Sequence, residues 1–212
     1  MERDATWPLF RLVIPAFPEV NIFSRVAKKT TALGPVMVAT AASKLWGWRV
    51  EVIDENNCTG VPLDENGFPD HRALQAERPA DVVGFYCGLS STIERVWRLA
   101  AFYKAEGTTT IAGGWHTHYA PEESLRKGID IVVHGDGEMV IRQVLELLRD
   151  GKTIGQVCGI SFLDSQGACK TNPPETQDET YLNSLPYPDF GLLKFAKIKI
   201  YPIGRIRGCS RN

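Results

Sequence analysis

Five short runs of this sequence are mostly apolar or β-branched, and that pattern limits the fold more than any other feature. They span residues 9–14, 49–53, 81–86, 108–112 and 129–133. A strand with one wet face alternates apolar and polar residues, whereas an unbroken run belongs to a strand covered on both sides. Helical stretches at 35–46, 92–106, 121–127 and 138–149 separate the runs. Gly34 and Pro35 suit the start of the first helix, and Gly151 suits the end of the last. Strands alternating with helices in this way predict a doubly wound α/β domain around a five-stranded parallel sheet.

The pattern changes after Gly151. Residues 159–163 and 168–171 read as a hairpin around Asp164-Ser165-Gln166-Gly167, a small C-terminal β appendage to the main sheet. Residues 172–189, with Pro173, Pro174, Pro186 and Pro188, read as an extended linker. A further apolar run at 198–203 precedes Arg207-Gly208-Cys209. The expected division is a ligand-binding domain at 1–151, a hairpin and linker at 152–189, and the start of another domain at 190–212. With 43% hydrophobic residues the chain can bury a substantial core, and its net charge of −1 gives no footprint for nucleic acid or an anionic membrane. The charged Met1-Glu2-Arg3-Asp4 start leads into no long apolar run, so neither a secretory signal nor a membrane span is expected. Five cysteines without CxxC spacing fit a reducing, cytoplasmic compartment.

Open parallel sheets bind ligands beyond the carboxyl ends of their strands. The first such loop, about residues 15–34, exceeds the usual length and opens with Ala16-Phe17-Pro18. The third strand ends in Tyr86-Cys87-Gly88-Leu89-Ser90-Ser91-Thr92, the fourth in Gly113-Gly114-Trp115-His116, and the fifth in Gly135-Asp136-Gly137-Glu138. Glycines gathered on one rim let backbone approach a ligand, and nearby helix starts offer free N–H groups. There is neither a GxxxxGK[ST] phosphate loop nor a GxGxxG turn after the first strand, which argues against a nucleoside triphosphatase and a usual dinucleotide fold.

The run Asp81-Val-Val-Gly-Phe-Tyr-Cys-Gly-Leu-Ser-Ser-Thr92, then Ile111-Ala-Gly-Gly-Trp-His116 with Pro121-Glu122-Glu123, then His134-Gly-Asp-Gly-Glu138, resembles the cobalamin-binding domain of cobalamin-dependent radical S-adenosylmethionine enzymes. Leu185-Pro-Tyr-Pro-Asp189 resembles the linker before their catalytic barrel, and residues 201–209 resemble the barrel's first strand. The resemblance implies a flavodoxin-like (Rossmann-like) fold, with cobalamin contacted by Ala16, Phe17, Pro18, Tyr86, Cys87, Gly88, Ser90, Ser91, Thr92, Gly113, Gly114, Trp115, His116, Gly135, Asp136 and Gly137. Gly113-Gly114 would flank the nucleotide tail. In the related DxHxxG pattern a histidine after the first strand ligates cobalt, but here that loop begins Pro15-Ala-Phe-Pro-Glu-Val-Asn21 and holds none. Where the family has serine at the end of the third strand, two residues before leucine, this chain has Tyr86 and Gly88. The resemblance also implies that Cys209 is the first ligand of a four-iron four-sulfur cluster, used with S-adenosylmethionine by a radical SAM domain expected to follow. The activity implied is radical chemistry with methyl transfer as its commonest outcome. By itself this chain is expected to be inactive.

Other residues receive structural expectations. His116 and His118 lack a third ligand for a metal. Glu138 and Asp136 suit a helix start through capping and the dipole. Trp46 and Trp48 are expected in the core at the end of the first helix, and His71 on the surface. Competing readings are a response-regulator-like signalling domain, which lacks its acidic cluster here, and a flavin-binding module.

Overall fold

In a computed structural model the protein is described over residues 6–18, 29–175 and 179–204. Its first strand is β1 (Leu9–Ile14), every residue of which is buried. Parallel to it run β2 (Arg49–Asp54), β3 (Val82–Tyr86), β4 (Thr109–Gly113) and β5 (Ile131–Val133). The hairpin strands β6 (Ile160–Leu163) and β7 (Cys169–Asn172) do not form a separate appendage. They continue the same sheet, which is mixed and seven-stranded in the order β2-β1-β3-β4-β5-β6-β7. The reason is the open edge of β5: β6 pairs antiparallel with it, Val133 opposite Ile160, and so occupies backbone groups that would otherwise face solvent.

Side chains of β1 alternate between two layers. Phe10, Leu12 and Ile14 enter an apolar core with Val144 and Leu145 of α6 (Gly137–Arg149) and Ala39 and Ala42 of α1 (Leu33–Ala42). Leu9 and Val13 enter the other core, with Val96, Leu99 and Tyr103 of α3 (Ile93–Ala105). Between the main elements lie α2 (His71–Glu77), α4 (Trp115–Tyr119), α5 (Pro121–Arg126) and α7 (Glu179–Ser184). Three of these short helices lie outside the expected pattern. α2 starts where the Asp70 carboxylate accepts hydrogen bonds from the N–H groups of Arg72 and Ala73, and α7 falls inside the expected linker.

Residues 198–203 form no strand; the N–H groups of Lys199 and Ile200 both donate to the Lys29 carbonyl instead. Nearer the domain, Leu192 is buried in the α1–α6 core, and Asp189 N donates to Thr40 Oγ1 at 2.8 Å. Trp48 is buried as expected, its Nε1 donating to Leu145 O at 3.2 Å. Trp46 is not, because α1 ends at Ala42 and leaves it 66% exposed. His71 is not on the surface either: at 4% exposure it sits between Tyr103 Oη (2.7 Å) and Glu55 Oε1 (3.2 Å). Among the described residues no helix is long and apolar enough to cross a membrane.

Candidate functional site

The order β2-β1-β3 reverses direction at β1, and the crevice at the carboxyl ends of β1 and β3 is where such sheets bind ligands. A cavity of about 260 Å³ lies there. Phe10 and Leu12 of β1, Gly84 and Tyr86 of β3, Ile111 and Gly113 of β4, and Val133 of β5 make its floor. Gly34, Pro35 and Val38 at the start of α1 form one wall, and Gly135 to Glu138 with Ile141 at the start of α6 form the other.

The glycines of this site do different things. A Cβ on Gly113 would meet nothing nearer than Val133 at 3.8 Å, so the missing side chain opens space that no protein atom uses. Gly84 is tighter, since a Cβ there would stand 3.0 Å from the Phe10 ring. Gly114 is needed by the backbone itself: its φ is +129°, and a Cβ would come within 2.5 Å of the Cys87 carbonyl carbon. That close approach lets His116 N donate to Cys87 O at 3.0 Å, joining the rim loops of β3 and β4. A Cβ on Gly88 would collide with the Tyr86 hydroxyl, so the phenol lies folded along its own loop. Burial pushes the Tyr86 phenol up, which keeps it a proton donor at neutral pH.

Of the residues expected at the site, Tyr86, Gly113, Gly114, Gly135, Asp136 and Gly137 come together around the cavity. The others stand elsewhere on the rim or behind it. Cys87 turns into the α3 core, fully buried, and burial pushes its thiol up to about 12. Ser90, Ser91 and Thr92 form a 3-10 turn in which Thr92 Oγ1 donates to Leu89 O, while Ser90 Oγ meets His116 Nδ1 at 2.9 Å. Trp115 is 68% exposed and stacks on Tyr119 with 5.9 Å between ring centroids. Ala16 and Phe17 donate their N–H groups to Glu55 Oε2 and Asn56 Oδ1, both at 2.9 Å, and Pro18 is exposed. Cys209 lies outside the described residues.

Sequence reasoning found Tyr86 and Gly113 but missed the rest of the cavity floor, Phe10, Leu12, Gly84, Ile111 and Val133, and the groups that hold the first loop. Gly84 carried a usable signal, because glycine inside a strand marks close approach of another group. His134, also missed, is buried with Nδ1 at 3.2 Å from His118 Nδ1 and Nε2 at 2.7 Å from Ser161 Oγ. Burial and the neighbouring His118 hold His134 below the ordinary histidine range.

A family model described as the B12 binding domain matches residues 21–145, more than half of the chain. The chain belongs to the B12-binding domain family. Among curated relatives, an uncharacterized methyltransferase, PH0819, of Pyrococcus horikoshii is 29% identical over 68% of this chain and 33% of its own length. The cytidylyl-2-hydroxyethylphosphonate methyltransferase of Streptomyces wedmorensis is 24% identical over 96% of this chain and 47% of its own length. The chain thus spans a third to a half of these relatives. In fold it is similar to OxsB, a cobalamin-dependent S-adenosylmethionine radical enzyme solved with aqua-cobalamin, at TM-score 0.66 and 18% identity over 87% of this chain and 24% of that one. It is also similar to TsrM of Kitasatospora setae, a radical S-adenosylmethionine methyltransferase solved with cobalamin and a [4Fe-4S] cluster, at TM-score 0.58 and 17% identity over 82% of this chain and 30% of that one.

Proposed function

We propose that this domain binds cobalamin and presents it to a radical SAM domain for methyl transfer. The observation that carries the reading is the cavity beside Gly113: its walls are largely apolar, and the space beside that glycine is left open by the surrounding atoms. At about 260 Å³ it is too small for a whole cobalamin; the narrower nucleotide tail would fit it, held between Pro35, Val38 and Ile141. Cobalamin, when bound, supplies a transferable methyl group. The chain's own residues do the holding. Gly84 and Gly113 leave room over the sheet, Pro35 and Val38 face Ile141 across the slot, and the Tyr86 hydroxyl offers a donor where the family carries serine. Family membership and the methyltransferase relatives support the same reading. In it, the cluster and S-adenosylmethionine belong to a companion domain, to which Cys209 would contribute a thiolate.

Purified chain incubated with aquacobalamin and passed through gel filtration should retain stoichiometric cobalamin by absorbance. Gly113→Val should weaken retention at least about tenfold while moving the thermal midpoint by less than about 5 °C, because the valine methyl groups enter open space. Gly114→Val is the wrong probe, since it strains the backbone whether or not a ligand is present. A folded Gly113→Val variant that retained cobalamin as well as the parent would remove the slot from the binding site.

A further inference from the structure

The connection between β1 and α1 joins two elements that line the cavity, and both of its ends are held by one tetrapeptide. Asp54-Glu55-Asn56-Asn57 stands at the carboxyl end of β2. At the near end of the connection, Glu55 N donates to Ile14 O at 3.0 Å. Glu55 Oε2 accepts from Ala16 N and Asn56 Oδ1 from Phe17 N, each at 2.9 Å, and Asn56 Nδ2 donates to Pro15 O at 3.2 Å. At the far end, Asn57 Nδ2 donates to Thr30 O. The tetrapeptide is itself braced, because Asp54 accepts from Asn56 N (3.0 Å) and from Asn57 Nδ2 (2.7 Å). Glu55 is braced from behind by Arg95 Nη2 at 2.6 Å and by His71. The segment that leaves the domain runs along the same place: Lys194 N donates to Val52 O and Lys197 N to Asn57 O.

We infer that Asp54-Glu55-Asn56-Asn57 is a positioning site, which fixes both ends of the β1–α1 connection and thereby sets how tightly the neighbouring cavity holds its ligand. Buried and half-buried polar side chains that spend their hydrogen bonds on the backbone of a loop order that loop before a ligand arrives. Such ordering raises affinity by removing a cost otherwise met on binding. The effect on affinity rests on the cobalamin reading; the ordering of the connection does not.

Three proteins separate these statements: the parent, Asn56→Ala, and Asp164→Ala, which removes the side-chain bonds of the β6–β7 turn at the far edge of the sheet and leaves the tetrapeptide and its braces intact. Amide hydrogen exchange at Ala16 and Phe17 is followed by NMR without ligand, and aquacobalamin affinity is measured by absorbance titration. Asn56→Ala should speed exchange at Ala16 and Phe17 and raise the cobalamin Kd, each about tenfold. Asp164→Ala should lower the thermal midpoint and change neither readout. Unchanged exchange at Ala16 and Phe17 would overturn the inference, as would faster exchange with an unaltered Kd. If the parent holds no cobalamin, the cobalamin reading fails, and the exchange measurement still decides whether the tetrapeptide fixes the connection.

Discussion

The two faces of the sheet are built on opposite principles, and β1 shows both. Towards α1 and α6 it presents Phe10, Leu12 and Ile14, and the packing there is incomplete, ending in a slot with glycines on its floor. Towards α2 and α3 it presents Arg11, fully buried, whose guanidinium donates to Glu51 Oε1 (2.7 Å), Tyr103 Oη (3.1 Å) and Gln75 Oε1 (3.1 Å). From Tyr103 the contacts continue through His71 to Glu55 and end at the N–H of Ala16. One face is left open where a ligand can enter, and the other is filled, its apolar core carrying a buried network of charges that satisfy each other. The difference suggests a division of labour: the polar face holds the frame and the first loop, so that the apolar face can stay hollow.

The largest effect that could break this comparison is expected from Arg11→Met. Methionine fills similar volume and leaves Glu51 with Arg78 as its remaining cation, Nη2 at 2.6 Å. Removing one partner from a buried pair typically costs about 3–5 kcal/mol, and Arg78 should keep the loss near 3 kcal/mol. Urea denaturation measures it. A loss below about 1 kcal/mol would mean that the polar face does not carry the frame.

A smaller, pH-dependent effect is expected from Glu55→Gln. Burial alone would push the Glu55 carboxyl up, but hydrogen bonds and charge from His71 and Arg95 outweigh it and hold the carboxyl below the ordinary carboxylate range. A carboxyl lowered in the folded state contributes stability that is full above its unfolded pKa of about 4 and fades as pH falls through the folded value. Asp54, raised by burial, acts in the opposite sense and is present in both proteins. The parent should therefore exceed Glu55→Gln by about 2 kcal/mol at pH 7, with the gap closing below about pH 4. A pH-independent gap would make Glu55 a packing residue rather than a charged anchor.

How much of this was legible in the sequence follows from the range of the interactions. The five parallel strands were readable because burial on both faces leaves each one mostly apolar or β-branched, even where Arg11 and Glu51 interrupt β1 and β2. That β6 and β7 extend the sheet was not, since a hairpin's own pattern says nothing about which edge it meets. His71 read as a surface residue because its partners, Glu55 and Tyr103, stand 16 and 32 positions away. The rim glycines were legible as a group, but their separate roles depend on neighbours that only the fold supplies: Gly114 is pressed against Cys87, whereas Gly113 borders open space.

The smallest effect concerns the cobalt of a bound cobalamin. If the apolar face holds its ligand through shape and backbone, no imidazole of this chain should reach the metal. The chain has four histidines, and three are turned inward: His71 in the polar network, His134 between His118 and Ser161, and His116, whose Nδ1 meets Ser90 and whose Nε2 is buried. His118, exposed on α4 beside Trp115 and Tyr119, is the one nearest to being available. Cob(II)alamin bound to the parent should give a paramagnetic resonance spectrum without nitrogen splitting from a protein imidazole, and His118→Ala should leave that spectrum unchanged. Splitting in the parent that disappears in His118→Ala would put a metal ligand on the rim, and the hollow face would then hold its ligand by coordination as well as by shape.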